Sequence, residues 1–250
     1  MKFLFAAKSF VITALLILLW HCIVSFADLP AYIFPSPKAV ATTFLSHYDL
    51  IWDHAQITLL EIGLGLTIGI LLGIFSALLL SLSRFLSSLL LPLFIISQAI
   101  PVFAVAPLFV LWFGYGMASK IVMTVLIIYF PVTASCFDGL RQTPQAWLEL
   151  AQTYRLSPLQ LLLKVRLPAA LPSLSSGIRI AVSVAPIGAV VGEWVGSSQG
   201  LGYLMLHANA RMQVDLMFVA LFTLLLIALT LYLSTDKLLK KWIPWVNQVR

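Results

Sequence analysis

Long apolar runs alternate with short polar segments along most of this 250-residue chain. Six of the runs hold about 18 residues or more, which is enough for a helix to cross the hydrocarbon core of a bilayer. The pattern predicts an all-α integral membrane protein, with about six transmembrane helices in a single domain covering residues 1–250. The predicted spans are residues 9–27, 57–82, 89–113, 120–137, 174–195 and 216–234.

The first apolar run has an alternative interpretation as a signal peptide. Ser25, Phe26 and Ala27 resemble a cleavage site. The run is longer than the apolar core of most signal peptides, and further spans follow it. These features favour a retained first span.

Composition supports lipid as the main solvent of the chain. Hydrophobic residues make up 61% of the sequence and charged residues only 10%, whereas soluble domains carry about 25% charged residues. The net charge of +6 does not indicate nucleic acid as a partner, because the bases lie between apolar runs and form no patch with exposed aromatic residues. Cys22 and Cys136 have no metal-ligand or redox spacing, and no metal site is predicted.

The distribution of bases predicts the orientation of the chain. Six spans place both termini on one side, together with the loops after the second and fourth spans. That side carries eleven bases and the opposite side three, so both termini are predicted to be cytoplasmic. The eleven are Lys2, Lys8, Arg84, Arg141, Arg155, Lys164, Arg166, Lys237, Lys240, Lys241 and Arg250, against Lys38, Lys120 and Arg211.

Three local patterns refine the spans. Ser36 as N-cap and Pro37 at the first helical position begin an amphipathic stretch that runs to about residue 53, predicted to lie on the membrane surface. In the second span Gly65, Gly69 and Gly73 form a smooth stripe on which another helix can pack closely. The third span holds Pro101 and Pro107, which predict a bent helix.

Residues 138–172 form a loop that is unusually polar for this chain. Its stretch LELAQTYRLSPLQLLLKVRLPAALP, residues 148–172, predicts two short helices. Ser157, Pro158 and Gln160 have the spacing of a capping box that begins the second helix, and Pro168 and Pro172 are predicted to end it. A connector that only closes the membrane surface is one interpretation. The other is a docking element for a soluble partner, because connectors of this kind are usually shorter.

The loop resembles the cytoplasmic signature of permease subunits of ATP-binding-cassette importers. That pattern runs Glu-Ala-Ala, three residues, Gly and then, after a long gap, Leu-Pro. Two positions depart from it: Leu150 replaces an alanine, and Arg155 replaces the glycine, so the turn is expected to be made differently, through Ser157 and Pro158. The resemblance implies that the ATPase docks at eight positions of this loop: Glu149, Leu150, Ala151, Arg155, Ser157, Pro158, Leu167 and Pro168.

Other stretches extend the resemblance over nearly the whole chain. IFPSPKAV resembles the family's outer Leu-Pro-Ser-Pro segment. PVFAVAPLFVLWFGYG and IGAVVGEWVGSSQGLGYLM resemble the subgroup that transports taurine, aliphatic sulfonates, nitrate and thiamine-pyrimidine precursors, and together they are most similar to the last of these.

The resemblance implies a type I importer fold in the inner membrane. Two copies of the chain would form the pore, two cytoplasmic ATPase subunits would bind ATP and Mg²⁺, and a periplasmic or lipid-anchored binding protein would deliver the solute. No cofactor and no catalytic residue are expected in this chain, which has no GxxxxGK[ST] phosphate-binding loop. The solute is expected to be a thiamine pyrimidine precursor, with taurine, alkanesulfonate or nitrate as the alternative.

A few polar residues at membrane depth are candidates for the substrate pathway. Glu61 and Glu193 lie near the outer ends of their spans, where an ionisable side chain is a functional candidate or binds a neighbouring helix. Gln98 can both donate and accept hydrogen bonds, as a neutral pyrimidine requires, or it links two helices. Arg179, near the cytoplasmic end of the fifth span, is expected to meet a cytoplasmic loop or lipid phosphate.

Other classes of membrane protein fit the sequence less well. An intramembrane enzyme needs a nucleophile with a base, paired aspartates or metal ligands, and neither HExxH nor GxSxG occurs. A secondary transporter or channel without an ATPase often shows inverted repeats or several buried ion ligands, and it does not need a docking loop. The coupling subunits of vitamin importers carry Ala-Arg-Gly motifs, and this chain has none.

Overall fold

The computed structural model describes residues 2–27 and 30–245, and their side chains apart from those of residues 2–10, 84, 95 and 97–99. The described residues form eleven α-helices and no strand. A π-helical turn, Leu162–Arg166, joins α8 to α9. The helices are α1 (Lys2–Phe26), α2 (Pro37–Ser46), α3 (Tyr48–Leu82), α4 (Arg84–Ala99), α5 (Val102–Phe113), α6 (Met117–Arg141), α7 (Gln145–Thr153), α8 (Pro158–Leu161), α9 (Leu167–Gly196), α10 (Leu201–Ala210) and α11 (Val214–Trp242).

The centre of the bundle is α6, which packs between α3 and α9. Ile128 and Val132 of α6 are fully buried there, together with Ile62 of α3 and Ala181 of α9. Helices α10 and α11 pack on α9, and α5 packs on α6. The bundle therefore has two ends: the loop end, which carries α7 and the π turn, and the far end, which carries α2 and α10.

Small residues allow these three helices to approach closely. A side chain in place of Gly73 on α3 would place its Cβ 2.8 Å from Val132 Cγ1 on α6. On the other side of α6, a Cβ at Gly188 of α9 would lie 2.7 Å from Thr124 Cα. Both distances are too short for real atoms, so the glycine row predicted on the second span is confirmed as a packing face.

Four helical stretches of the described chain are long and apolar enough to cross a membrane. They contain the predicted spans 57–82, 120–137, 174–195 and 216–234, and their outer faces expose many large apolar side chains. An all-α integral membrane fold is thereby confirmed. The four are Tyr48–Leu82, Met117–Arg141, Pro158–Gly196 and Val214–Trp242.

The predicted third span, 89–113, is not one bent helix. It is divided into α4 and α5, and Pro101 between them has extended backbone, with φ −61° and ψ 122°. The break falls there because proline disfavours helical geometry at the residue before it and supplies no N–H for a helix hydrogen bond. Pro107, in contrast, is accommodated inside α5.

The predicted surface helix is shorter than its pattern indicated and lies on the bundle. Ser36 caps α2 as expected, accepting a hydrogen bond from the Ala39 N–H at 3.2 Å. The helix ends at Ser46, and α3 starts directly after it. Val40 is buried against α11, and Thr43 Oγ1 donates to Asp215 Oδ2 at 2.6 Å. Helix α2 therefore covers the far end of α11.

Candidate functional site

The loop end carries an exposed apolar groove built on α7. Trp147, Leu150 and Tyr154 are 52%, 58% and 72% exposed, whereas Ala151 between them is buried. The groove has a volume of about 350 Å³. We call it the loop groove; it is lined by Trp147, Leu150, Ala151, Tyr154, Leu156, Lys164, Val165 and Pro168.

The turn after α7 is made by Arg155 itself. Its φ is +49°, in the left-handed region that the family glycine would occupy. The Leu156 N–H donates to the Ala151 carbonyl at 3.2 Å, and the Arg155 N–H donates to the Gln152 carbonyl at 2.8 Å. These bonds satisfy carbonyls at the end of α7 and offset the steric cost of a left-handed arginine. The expectation that Ser157 and Pro158 replace the glycine is therefore wrong.

Ser157 and Pro158 instead begin the next helix, as the capping-box spacing predicted. Ser157 Oγ accepts from the Gln160 N–H at 3.3 Å, and Gln160 Oε1 accepts from the Ser157 N–H at 3.1 Å. The helix that they start does not end at Pro168 or Pro172, because it continues through the π turn into α9 and reaches Gly196. The wider π turn ends at Arg166, two residues before Pro168, where it accommodates the proline ring and its missing N–H.

The eight predicted docking positions fall into three groups. Leu150, Ala151 and Pro168 line the loop groove. Leu167 packs against the core of the bundle, and Glu149 is exposed on α7. The other three join α7 to α8: Arg155 makes the turn, and Ser157 and Pro158 begin α8.

At the far end, Glu193 is buried and caps the start of α10. Its exposed fraction is 1%. Oε2 accepts a hydrogen bond from the Gly202 N–H, and Oε1 accepts from Thr58 Oγ1 at 2.6 Å. Thr58 Oγ1 also accepts from the Leu201 N–H at 2.8 Å, and His54 Nδ1 accepts from the Gly200 N–H at 2.9 Å. The first N–H groups of α10 are thus satisfied by α3 and α9.

Glu61 forms a buried ion pair next to this cap. Lys120 Nζ lies 2.9 Å from Glu61 Oε1, and the two side chains are 7% and 0% exposed. Glu61 Oε2 is also buried and accepts no hydrogen bond from the described residues. Glu61 and Glu193 both have internal partners, so a role in the substrate pathway would require these contacts to open.

The remaining predicted polar positions give mixed outcomes. The side chain of Gln98 lies outside the described residues, and its pathway role stays a prediction. Arg179 pairs with a helix rather than a loop, because its Nε donates to Asp236 Oδ1 of α11 at 2.8 Å, and its contact with lipid phosphate stays a prediction. In the described part of the chain, no cluster of three or more His, Cys, Asp and Glu side chains could hold a metal ion.

Sequence reasoning missed Lys120, Thr58 and His54 as members of the far-end cluster. Lys120 was counted as an outer base, because its pairing with Glu61 depends on how α6 packs on α3. A signal for the other two was present: His54, Thr58 and Glu61 are spaced four and three residues apart and share one face of α3. A row of polar side chains at the start of an apolar span is unusual enough to suggest a common partner.

The fold defines the class of this protein: a multi-pass helical membrane protein. Residues 69–246 match the model of the family described as binding-protein-dependent transport system inner membrane component. The chain belongs to this family of importer permeases.

Curated relatives match nearly the full chain. A probable ABC transporter permease protein of Haemophilus influenzae is 67% identical over 94% of this chain and 96% of its own. A formylaminopyrimidine transport permease protein of Halalkalibacterium halodurans is 37% identical over 92% of each chain. A riboflavin transport system permease protein of Chloroflexus aurantiacus is 38% identical over 91% of this chain and 87% of its own.

A solved structure shows the same fold. It belongs to inward-facing conformations of the MetNI methionine ABC transporter, with a TM-score of 0.68 and 19% identity. The match covers 78% of this chain and 97% of the other. The expected importer-permease fold is therefore confirmed.

We expect Glu193→Ala to lower the free energy of unfolding by about 3 kcal/mol, because buried N–H groups at the start of α10 lose their acceptor. Glu193→Gln keeps one carbonyl oxygen and should cost less. Thermal unfolding in detergent measures both changes. Glu149→Ala is the matched control, since Glu149 is exposed. Equal melting temperatures for Glu193→Ala and the control would contradict the capping role.

We expect Arg155→Gly to keep or raise the protection of the Leu156 amide against hydrogen exchange, because glycine adopts the left-handed turn without strain. Arg155→Val should lower the free energy of local opening of the turn by about 1–2 kcal/mol, since a β-branched residue is poorly tolerated in left-handed geometry. Hydrogen exchange at the Leu156 amide reports the change directly. Faster exchange in Arg155→Gly than in Arg155→Val would show that the turn does not depend on a left-handed residue.

Proposed function

We propose that this chain is the pore subunit of an ATP-driven importer for a thiamine pyrimidine precursor, and that α7 docks a cytoplasmic ATPase. The assembly would contain two copies of the chain, two ATPase subunits holding ATP and Mg²⁺, and an external binding protein. The main observation in favour of docking is the loop groove. Large apolar side chains of α7 are exposed there, at the loop end of the bundle.

The chemistry of α7 suits a soluble protein partner. Trp147, Leu150 and Tyr154 project from one short helix, and aromatic side chains of this kind are enriched at the centre of protein interfaces. Glu149 stands beside them and offers a carboxylate for a basic group of the partner. A helix of this composition fits a surface groove by the helix-in-groove mode of recognition.

The loop is also built to transmit a movement into the membrane. Lys164, Val165 and Pro168 line the groove, and they lie on the same continuous helix as α9. A displacement of the groove would therefore move α9 rather than be absorbed by a flexible joint. ATP binding by the partner would use this connection to switch the pore between inward-open and outward-open states.

The orientation of the chain supports this arrangement. The loop end is the side with the excess of lysine and arginine in its loops and termini, which favours a cytoplasmic location for both termini and for α7. The far end, with α2 and α10, would then face the binding protein. The host membrane would be the inner, or plasma, membrane.

The pyrimidine substrate is supported by one named relative and by the stretches at 101–116 and 187–205. The relative named for formylaminopyrimidine matches over nearly the full chain. The second stretch forms the far end of α9 and the start of α10, beside a cavity of about 620 Å³ that is lined mainly by apolar residues, with Trp194 and Asn209 among them. An aromatic ring and an amide suit a flat, neutral heterocycle. Gln98 is a further candidate contact on the path.

Docking is tested by Glu149→Arg, which reverses the charge on α7. Co-expressed with the neighbouring ATPase and binding-protein genes, this variant should retain less than about a tenth of the ATPase that co-purifies with the unaltered chain, because an interfacial charge is now repelled. Lys237→Glu reverses a charge at the loop end of α11 and should leave co-purification unchanged. Uptake by the chain alone, independent of ATP, would instead indicate a secondary transporter or channel.

The substrate is tested by uptake into proteoliposomes that hold the complete complex. We expect ATP-dependent uptake of labelled formylaminopyrimidine, with less than about a tenth of that rate for taurine, because no lysine or arginine is among the described residues that line the cavity beside Trp194. Unlabelled pyrimidine should compete and riboflavin should not. Uptake of taurine, another sulfonate, nitrate or riboflavin in preference to the pyrimidine would refute the assignment while leaving the importer function intact.

A further inference from the structure

A second cavity at the loop end is amphipathic and shares no lining residue with the loop groove. It has a volume of about 540 Å³ and lies where α3 ends, α4 begins and α6 meets the π turn. Four apolar residues of its lining form what we call the apolar wall, and two arginines and three serines form the basic wall. We call it the basic cavity; it is lined by Leu80, Ser81, Ser87, Ser88, Leu91, Phe137, Leu140, Arg141 and Arg166.

The two arginines give this cavity its chemical preference. Nε of Arg166 is buried and has no hydrogen-bond partner among the described residues. The guanidinium of Arg141 lies 5.6 Å from the centroid of the Phe137 ring. No aspartate or glutamate is among the described residues that line the cavity. Because arginine stays charged at any physiological pH, a buried N–H without an acceptor indicates an anionic ligand with oxygen acceptors.

Local backbone structure places both side chains at the cavity. Arg141 lies in the last turn of α6, where a cation is favoured by the helix carbonyls. Arg166 is the last residue of the π turn, which shifts the side chains that follow it around the helix axis. A regular α-helix through 162–166 would present Arg166 in a different direction. The π turn thus sets the direction of the Arg166 side chain as well as accommodating Pro168.

The apolar wall identifies the class of ligand. Leu80, Phe137 and Leu140 are buried at 2%, 4% and 1% exposure and line the same space as the guanidinium groups. The cavity lies at the junction of α3 and α4, at the end of a helix long enough to cross a bilayer, and this is the level at which we expect lipid headgroups. A small inorganic anion would use the basic wall alone, whereas a phospholipid uses both walls.

We propose that the basic cavity binds the phosphate headgroup of an anionic phospholipid, with Arg141 and Arg166 contacting the phosphate oxygens and the apolar wall contacting the acyl chains. Two guanidinium groups on one phosphate form short, charge-assisted hydrogen bonds. The inference depends on the membrane character of the chain and not on the solute or the ATPase. Since Arg166 is the last residue of the π turn, the lipid would also brace that turn.

The test is native mass spectrometry of the purified chain in detergent, titrated with phosphatidylglycerol, with zwitterionic phosphatidylcholine or with inorganic phosphate alone. We expect binding of phosphatidylglycerol at least tenfold tighter than of phosphatidylcholine. Arg141→Gln/Arg166→Gln should weaken phosphatidylglycerol binding about tenfold, a change that corresponds to about 1.4 kcal/mol. Lys237→Gln, which removes a cation from the loop end of α11, should leave it unchanged.

A second variant separates lipid binding from folding. Arg141→Gln alone alters an exposed side chain at the end of α6 and should weaken phosphatidylglycerol binding about threefold, with an unchanged melting temperature. Equal lipid affinity in the double variant and in Lys237→Gln would overturn the proposal. So would displacement of phosphatidylglycerol by millimolar inorganic phosphate together with no preference over phosphatidylcholine, because the site would then recognise a free anion.

Discussion

The close approach of α3 and α9 to the two sides of α6 is the constraint from which the rest of this structure follows. Within a bilayer, helices gain little from hydrophobic burial, so contact through glycine and other small residues must hold them together. Gly73 and Gly188 bring α3 and α9 against the α6 backbone. This packing also removes water from the far end, where Lys120 lies under Gly192 and meets Glu61.

The buried charges at the far end depend on that packing and reinforce it in return. A carboxylate at membrane depth is costly unless it is paired and hydrogen-bonded. Glu61 has Lys120 as its partner, and Glu193 has the N–H groups of α10, whose helix dipole favours a negative charge. Each pairing joins two helices, so α3, α6, α9 and α10 are tied together at one level of the bundle. Arg179 and Asp236 join α9 to α11 nearer the loop end.

Sequence patterns predicted the features that depend on neighbours in the chain. The capping box at Ser157, the N-cap at Ser36 and the glycine row on α3 each follow from a spacing of three or four residues, and each is present in the structure. The membrane spans could also be predicted, because the length of an apolar run is a local property of the sequence. The break at Pro101 was not predicted as a division, since proline inside a span can also produce only a bend.

Features that depend on backbone hydrogen bonding or on tertiary contacts could not be predicted from residue patterns. Arg155 is left-handed because two backbone hydrogen bonds at the end of α7 offset the strain, and residue type alone favours another solution. The continuous helix through Pro168 requires the π turn, which has no simple sequence signature. Lys120 and Glu61 are distant in sequence, and only the packing of α6 on α3 pairs them.

One long helix connects the two ends of the molecule. The stretch Pro158–Gly196 spans 39 residues and would extend about 58 Å if fully α-helical. Its first turns form one wall of the loop groove, and its last turn carries Glu193, which holds α10. Helices resist compression and bending more than loops do. A tilt of this helix at the loop groove would therefore also move α10, because no flexible loop lies between them to absorb the movement. The π turn is the least regular part of this connection, so the residues that contact it, and any lipid bound at Arg166, set how stiffly the two ends are coupled.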